Sequence, residues 1–307
     1  MPLSPNPTLT RTRGAHELRF TLIVASLGRE EEVRVLLDSL RSQSYRQFEV
    51  VIIDQNSDRR LEPVAADYAS ALDLIYSTSA PGLSHSRNRG LDRATGDIVA
   101  FPDDDCRYPP NLLASVASWF EGHPDYSLLS GRTVDETGRA TAARFDTSAG
   151  AITRRNVFRR ANSASMFIRW SEPLRTLRFD ESLGLGSGTP WGSGEDTDLP
   201  LRAMALGVTA WYEPGLHVHH PPVDRSSGQQ AFSRAYSYGC GTGRVMRLHS
   251  FPLDSKLRIL VRPLMGALEW GLRGNMNRAR YHLAVLRGRA RGLGLTTCRD
   301  DPKGTEW

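Results

Sequence analysis

The sequence predicts an α/β fold: a mostly parallel, twisted sheet flanked by helices, continued at the C-terminus by amphipathic helices. Three observations predict it. Strand-like and helix-like runs alternate from residue 20 onward, which is the signature of strand–helix–strand units with right-handed crossovers. The first strand-like run, FTLIVA, is continuously apolar and partly β-branched, as in strands covered on both faces. Acidic turns follow two of the strand-like runs, at the carboxyl ends where open α/β sheets bind ligands.

The elements follow in order. MPLSPNPTLTRTRGAHE (1–17) is polar, holds three prolines and lacks an apolar h-region, so a disordered tail is expected and not a signal peptide. FTLIVA (20–25) reads as a buried strand. Val33, Leu36, Leu37 and Leu40 then recur at helical spacing among Glu and Arg. EVVIID (49–54) is a second buried strand ending in Asp54, and LDLIYS (72–77) a third. SHSRNRGLDRAT (84–95) reads as a helix, and GDIVAFPDDD (96–105) as a strand ending in three aspartates. PPNLLASVASWFEGHP (109–124) opens with proline, as helices tolerate. YSLLSGRTV (126–134) and ASMFIRW (164–170) read as strands on either side of a polar, Arg-rich excursion, 135–160. A glycine-rich loop (184–194) leads into EDTDLPLRAMALG (195–207), a helix whose first turn is acidic, which suits the positive end of the helix dipole. VTAWYEPGLHVHH (208–220) is extended and carries three histidines. From Lys256 to Arg291 there are nine Lys or Arg and one acidic residue, Glu269, beside a leucine stripe at helical spacing. This predicts one or two basic amphipathic helices, packed on the main domain or docked on anionic lipid.

The chain has 307 residues, 39% hydrophobic and 24% charged, with a formal net charge of +5. That is enough to bury a core without staples and favours anionic partners such as phosphates or lipid headgroups. Cys106, Cys240 and Cys298 are odd in number and far apart, which points to a reducing compartment and against a disulfide framework or a zinc knuckle. No apolar run is long enough to span a membrane.

Three segments carry chemistry. Asp103, Asp104 and Asp105 repel one another and raise one another's pKa, so a cation is expected beside them, either a metal ion or a basic neighbour. Hard divalent cations choose carboxylate oxygens and bridge to diphosphates; extended-chain alternation would put Asp103 and Asp105 on one side. In GSGEDTDLPLRA a carboxylate opening a helix can act as a general base or simply cap the helix. In HVHHPP an imidazole can complete a metal shell.

Together these segments resemble glycosyltransferase family 2, with its Rossmann-like GT-A fold, from about Phe20 to Pro221. FTLIVASLGREEEVRVLLDSLRSQSYRQFEVVIIDQNSD is similar to the family's opening strand, helix and nucleotide-binding strand. PGLSHSRNRGLDRATGDIVAFPDDDC resembles its G-x-x-x-x-R-N-x-G…A-x-G-D…D-x-D core. GSGEDTDLPLRA resembles its E-D motif, and YEPGLHVHHP its strand with a metal-binding histidine. The resemblance implies an inverting transfer of a hexosyl or deoxyhexosyl group from a nucleoside-diphosphate sugar to an acceptor hydroxyl, with Mn²⁺ or Mg²⁺ as cofactor. Ala25, Asp54, Arg87, Asp103 and Asp104 would lie at the nucleotide sugar. Asp105, Asp103 and His220, with His219 as the alternative, would hold the metal. Asp196 would be the base, with Glu195 beside it, and Trp191 would face the acceptor. Two departures stand out: Ala25, Ser26, Leu27 and Gly28 replace the usual Pro-Thr-Tyr-Asn, and Gln55 replaces an acidic residue.

The expected organisation is a tail (1–17), a catalytic domain (18–224) and a basic helical extension (225–307). The expected setting is surface polysaccharide or lipid-linked glycan synthesis, in the cytoplasm or on the inner face of its membrane. A non-catalytic scaffold of the same fold is the alternative. Nucleic-acid binding is not expected, because the basic residues concentrate in the C-terminal extension and no zinc finger or RNA-recognition aromatic motif occurs. A dehydrogenase is excluded by ASLGREE standing where G-x-G-x-x-G would follow the first strand.

Overall fold

The computed structural model describes residues 17–141, 144–222 and 228–296. The expected tail lies outside them except for Glu17, as does Cys298. Eight strands form one sheet: β1 (Phe20–Ser26), β2 (Phe48–Asp54), β3 (Asp73–Thr78), β4 (Ile98–Ala100), β5 (Tyr126–Val134), β6 (Gly150–Ala151), β7 (Met166–Arg169) and β8 (Thr209–His219). Their order is β3-β2-β1-β4-β7-β5-β8-β6. The pairs among β3, β2, β1 and β4 are parallel, as is β5 with β8; β7 runs antiparallel to both its neighbours and β6 antiparallel to β8.

Every residue of β1 and β2 is buried, as their unbroken apolar runs require. Alternate residues face opposite sides: Leu22, Val24, Val50 and Ile52 enter one apolar cluster, and Ile23, Val51 and Ile53 the other. The first cluster is closed by α1 (Glu31–Arg41), α2 (Leu61–Tyr68) and α4 (Leu112–Gly122). The apolar stripe of α1, Val33, Leu36, Leu37 and Leu40, is fully buried, each side chain contributing roughly 1.5–3 kcal/mol of hydrophobic stabilisation. On the other side lies α3 (Leu83–Leu91), pressed so closely onto β1 that a Cβ on Gly90 would stand 2.2 Å from Ile23 Cγ2.

The structure departs from expectation in three places. The strand expected over 96–105 ends at Ala100, and the aspartates stand beyond it in a turn closed by Cys106 N–H donating to Asp103 O at 3.0 Å. The excursion 135–160 holds the short strand β6 and one helical turn, α5 (Val157–Arg160). The C-terminal region has three helices: α7 (Gln229–Leu248), α8 (Leu253–Leu272) and α9 (Met276–Gly292), preceded in the chain by α6 (Glu195–Ala205). The last two were expected; α7 was not. Gly239, Gly241 and Gly243 depress its intrinsic helix propensity, and packing supplies what propensity lacks. Gly239 and Gly243 of α7 meet Gly288 and Gly292 of α9 backbone to backbone. A Cβ on Gly288 would lie 2.1 Å from Tyr236 O, and one on Gly292 2.1 Å from Cys240 O.

Candidate active site

Parallel alignment brings the carboxyl ends of β2, β1 and β4 to one edge of the sheet. Asp54 ends β2, Ser26 ends β1, and the triple-aspartate turn follows β4. Three further segments converge there. The side of α3 facing the sheet presents Arg87. The glycine-rich loop delivers Glu195 and Asp196 at the start of α6. The end of β8 is tied to the aspartate turn by paired backbone bonds, Arg107 N–H to His219 O at 2.8 Å and His219 N–H to Arg107 O at 3.0 Å.

Arg87 is the hub. Its side chain is 3% exposed and lies over the Phe179 ring. It donates to Asp103 Oδ1 at 2.9 Å; its Nη1 is 3.5 Å from Asp196 Oδ1 and 3.9 Å from Glu195 Oε1. A second guanidinium, Arg29, places Nη1 2.6 Å from both Asp104 Oδ1 and Asp105 Oδ2. The aspartates therefore do have basic neighbours, one on each side of the turn.

His220 completes the cluster. Its Nδ1 lies 2.6 Å from Pro221 O; a carbonyl only accepts, so Nδ1 carries the proton. Nε2 then faces Asp105 Oδ1 at 3.5 Å and Asp103 Oδ2 at 3.9 Å. A ring lone pair pointed at two carboxylates is relieved only by a proton or a cation between them. Asp105 Oδ1 is buried without any hydrogen-bond partner, a costly state for a carboxylate oxygen. His219 faces elsewhere: its ring stands edge-on to His217, and burial, then the positive Arg107, lower its pKa. A cleft of about 510 Å³ opens beside the cluster, with Asp105, His219, His220, Glu32 and Asp135 in its wall.

Burial dominates the electrostatics. It pushes Asp103 up to about 6, against the opposing pull of Arg87. It pushes Glu195 up to about 8, and the neighbouring Asp196 charge pushes the same way. Asp104 is raised by burial too, opposed by Arg29. Glu195 Oε2 is a second buried oxygen without a partner. Near neutral pH Glu195 holds a proton, and of the two adjacent carboxylates Asp196, 30% exposed at its side chain, is the more accessible.

Other expected residues stand apart from this cluster. Asp54 is fully buried, and its carboxylate accepts from Asn56 N–H and Nδ2, from Leu61 N–H and from the Tyr76 hydroxyl. Ala25 is buried one residue before the end of β1. Trp191 sits half-buried with Arg244 over its ring at 5.6 Å. The departures are accommodated locally: Gln55 Oε1 accepts from Gly82 N–H, and Gly28 N–H donates to Asn56 Oδ1.

Sequence reading missed two members of the site. Arg29 carried no signal in the sequence, since its place beside the aspartates depends on β1 and β4 pairing in the sheet. Tyr238 carried none: it stands 40% exposed on α7, where desolvation of its hydroxyl, opposed by Arg234 and reinforced by the charges of Glu195, Asp103 and Asp196, raises its pKa. The loop before α6 rests on the same helix. Gly194 has φ 106°, a left-handed conformation that favours glycine, and a Cβ there would also press on Val245 at 2.7 Å. A Cβ on Gly241 would lie 2.0 Å from Ser193 O.

Among the described residues, no three His, Cys, Asp or Glu side chains are arranged to hold a metal ion as they stand. The donor chemistry nevertheless fits one. Asp105 offers an unpartnered oxygen and His220, its Nδ1 turned to Pro221 O, directs the Nε2 lone pair at it, a hard and a borderline donor.

Comparison with known proteins places the architecture. S. aureus TarS superposes with a TM-score of 0.58 at 17% identity, covering 86% of this chain and 54% of TarS. The mannosyltransferase PcManGT of Pyrobaculum calidifontis, solved with GDP-Man and Mn²⁺, gives 0.56 at 16% identity, covering 91% and 75%. Both likenesses concern the GT-A fold. In sequence, the amylovoran biosynthesis glycosyltransferase AmsE of Erwinia amylovora is 28% identical over 61% of this chain and 70% of its own length. The glucosyl-dolichyl phosphate glucuronosyltransferase of Haloferax volcanii is 27% identical over 36% of each chain, so the match spans about a third of that relative. The family model for glycosyl transferase family 2 matches residues 21–178, more than half of the chain and the whole span from β1 to the segment after β7, and this protein therefore belongs to glycosyl transferase family 2.

Proposed function

We propose that this protein is an inverting glycosyltransferase that moves a sugar from a nucleoside-diphosphate sugar to an acceptor hydroxyl. The observation that carries the proposal is the meeting of Arg87, Asp103, Asp105, His220, Glu195 and Asp196 from four separated segments at the carboxyl edge of the sheet. Asp105 and His220, with Asp103, would hold Mn²⁺ or Mg²⁺, the remaining ligands coming from the diphosphate. When bound, such a cation neutralises charge that develops on the departing diphosphate.

The chain's own residues supply the rest. Arg87 holds Asp103, Glu195 and Asp196 around one positive charge. Arg29 occupies Asp104 and Asp105 in the free protein and is positioned to turn toward phosphate oxygens once those carboxylates take another cation. Asp196 accepts the proton of the acceptor hydroxyl; Glu195, protonated near neutrality, cannot. One base and one direct displacement imply inversion at the anomeric carbon. Asp54 and its partners shape the base end of the sugar-nucleotide site. Buried carboxylate oxygens without a hydrogen bond, Asp105 Oδ1 and Glu195 Oε2, are costly in a protein that never binds a ligand there, which favours an enzyme over a scaffold. The relatives named for amylovoran biosynthesis support polysaccharide assembly as the setting; a surface or lipid-linked glycan built on the cytoplasmic side is the finer part of the proposal.

Calorimetry tests the metal assignment. Asp105→Ala is expected to remain folded and to lose the metal-dependent part of nucleoside-diphosphate binding, with UDP, GDP and dTDP tried in turn. Unchanged metal dependence in the variant would overturn it.

A further inference from the structure

Beyond the catalytic cluster, α8 presents a surface that the other described residues leave uncovered. Leu253, Leu257, Val261, Leu264, Leu268 and Leu272 follow one another at spacings of three and four, and all are between 42% and 90% exposed. At 100° per residue they fall within an arc of roughly 100°. The opposite side of the helix, with Pro263 and Ala267, is the buried one and rests on α9. Such a contiguous apolar stripe on a surface is a binding face.

Charge decides what binds. Arg258 and Arg262 are exposed on α8 along one flank of the stripe, and Arg273 is exposed just past its end. The acidic residues of α8 are Asp254 and Glu269, and Glu269 is already paired with Arg273 at 3.0 Å. A second copy of this chain laid on the stripe would bring two arginine rows together. The segments 1–16 and 297–307 are polar and offer no apolar stripe of matching length. Among the described residues no helix is long and apolar enough to cross a bilayer. Leucines in one row beside arginines in the next suit a helix lying in the interface of an anionic bilayer, leucines among the acyl chains and guanidinium groups at phosphate level.

We propose that α8 docks this protein onto anionic phospholipid membranes, lying flat with the Leu253–Leu272 stripe inserted and its flanking arginines on the headgroups. The proposal is independent of the transfer reaction and is tested without it. The full-length protein is sedimented with vesicles of phosphatidylcholine alone and of phosphatidylcholine mixed with phosphatidylglycerol. Binding is expected only to the mixed vesicles and should weaken as salt is raised. Combined Leu257→Glu, Leu264→Glu and Leu268→Glu, at exposed positions that leave the core untouched, should abolish it while circular dichroism and melting stay as in the parent. Combined Arg258→Ser and Arg262→Ser should lower the partition constant about fivefold per arginine removed. Equal binding to both vesicles, no binding to either, or binding that survives the triple Leu variant would overturn the proposal. So would a lipid-free dimer that the triple variant dissociates.

Discussion

Glu195 and Asp196 are adjacent in the chain and differ sharply in setting. Glu195 is 9% exposed at its side chain and held in protonated form near neutrality by burial; Asp196 is 30% exposed. A base must be free to take a proton, so Asp196→Asn is expected to lower turnover by about 10²–10⁴-fold while affinity for the sugar nucleotide, measured by calorimetry with metal present, changes little. Glu195→Gln, isosteric with the protonated acid, should lose far less. A Glu195→Gln variant that is inactive beside an active Asp196→Asn would exchange the two roles. Residue types and their order were readable from the sequence: the aspartates, the Glu-Asp pair and the histidine all reach one cluster. Which histidine reaches it was not, because His219 and His220 differ only in where the last residues of β8 point. Arg29 lay hidden for a related reason: its role depends on β1 and β4 being neighbours in the sheet, a long-range fact.

At the level of elements, the strands with unbroken apolar runs and the helices with apolar stripes were legible, and β5 was foreseen to the residue. β4 was overestimated because its apolar run continues through Phe101, buried but outside the ladder. α7 was invisible for a different reason. Its contact with α9 is made by the absence of side chains, which no hydrophobic periodicity records. That contact is testable. Gly288→Leu would set a Cβ 2.1 Å from a backbone oxygen of α7, where nothing flexible can yield. The expected cost is about 3 kcal/mol, lowering the melting temperature by roughly 6 °C or more. Gly271→Ala, in the neighbouring helix with nothing within 4 Å of the new Cβ, should leave it unchanged or slightly higher. Equal melting of the two variants would refute close backbone packing as the source of the α7–α9 contact.

For the molecule as a whole, the acidic cluster sets a pH dependence of stability. Asp103 moves from 3.8 to about 6, and Glu195 from 4.5 to about 8, on folding. Between each pair of values the folded chain holds a proton that the unfolded chain has released, so these groups make stability fall as pH rises. The metal-free protein should therefore melt at progressively lower temperature from about pH 4 to pH 8 on their account. Glu195→Gln should flatten the upper part of that slope and melt above the parent at pH 8. A variant whose melting follows the parent at every pH would show that Glu195 carries no buried proton. The remaining consequence concerns Gly241. With Ser193 O standing where its Cβ would be, the threshold of α6 has no slack against α7, and α7 is in turn keyed to α9. The alignment of Glu195 and Asp196 is thus indexed from the far end of the chain, like a tool registered against a distant stop. Shortening or loosening that end would be read first as misplaced carboxylates and a slower reaction, before any loss of fold.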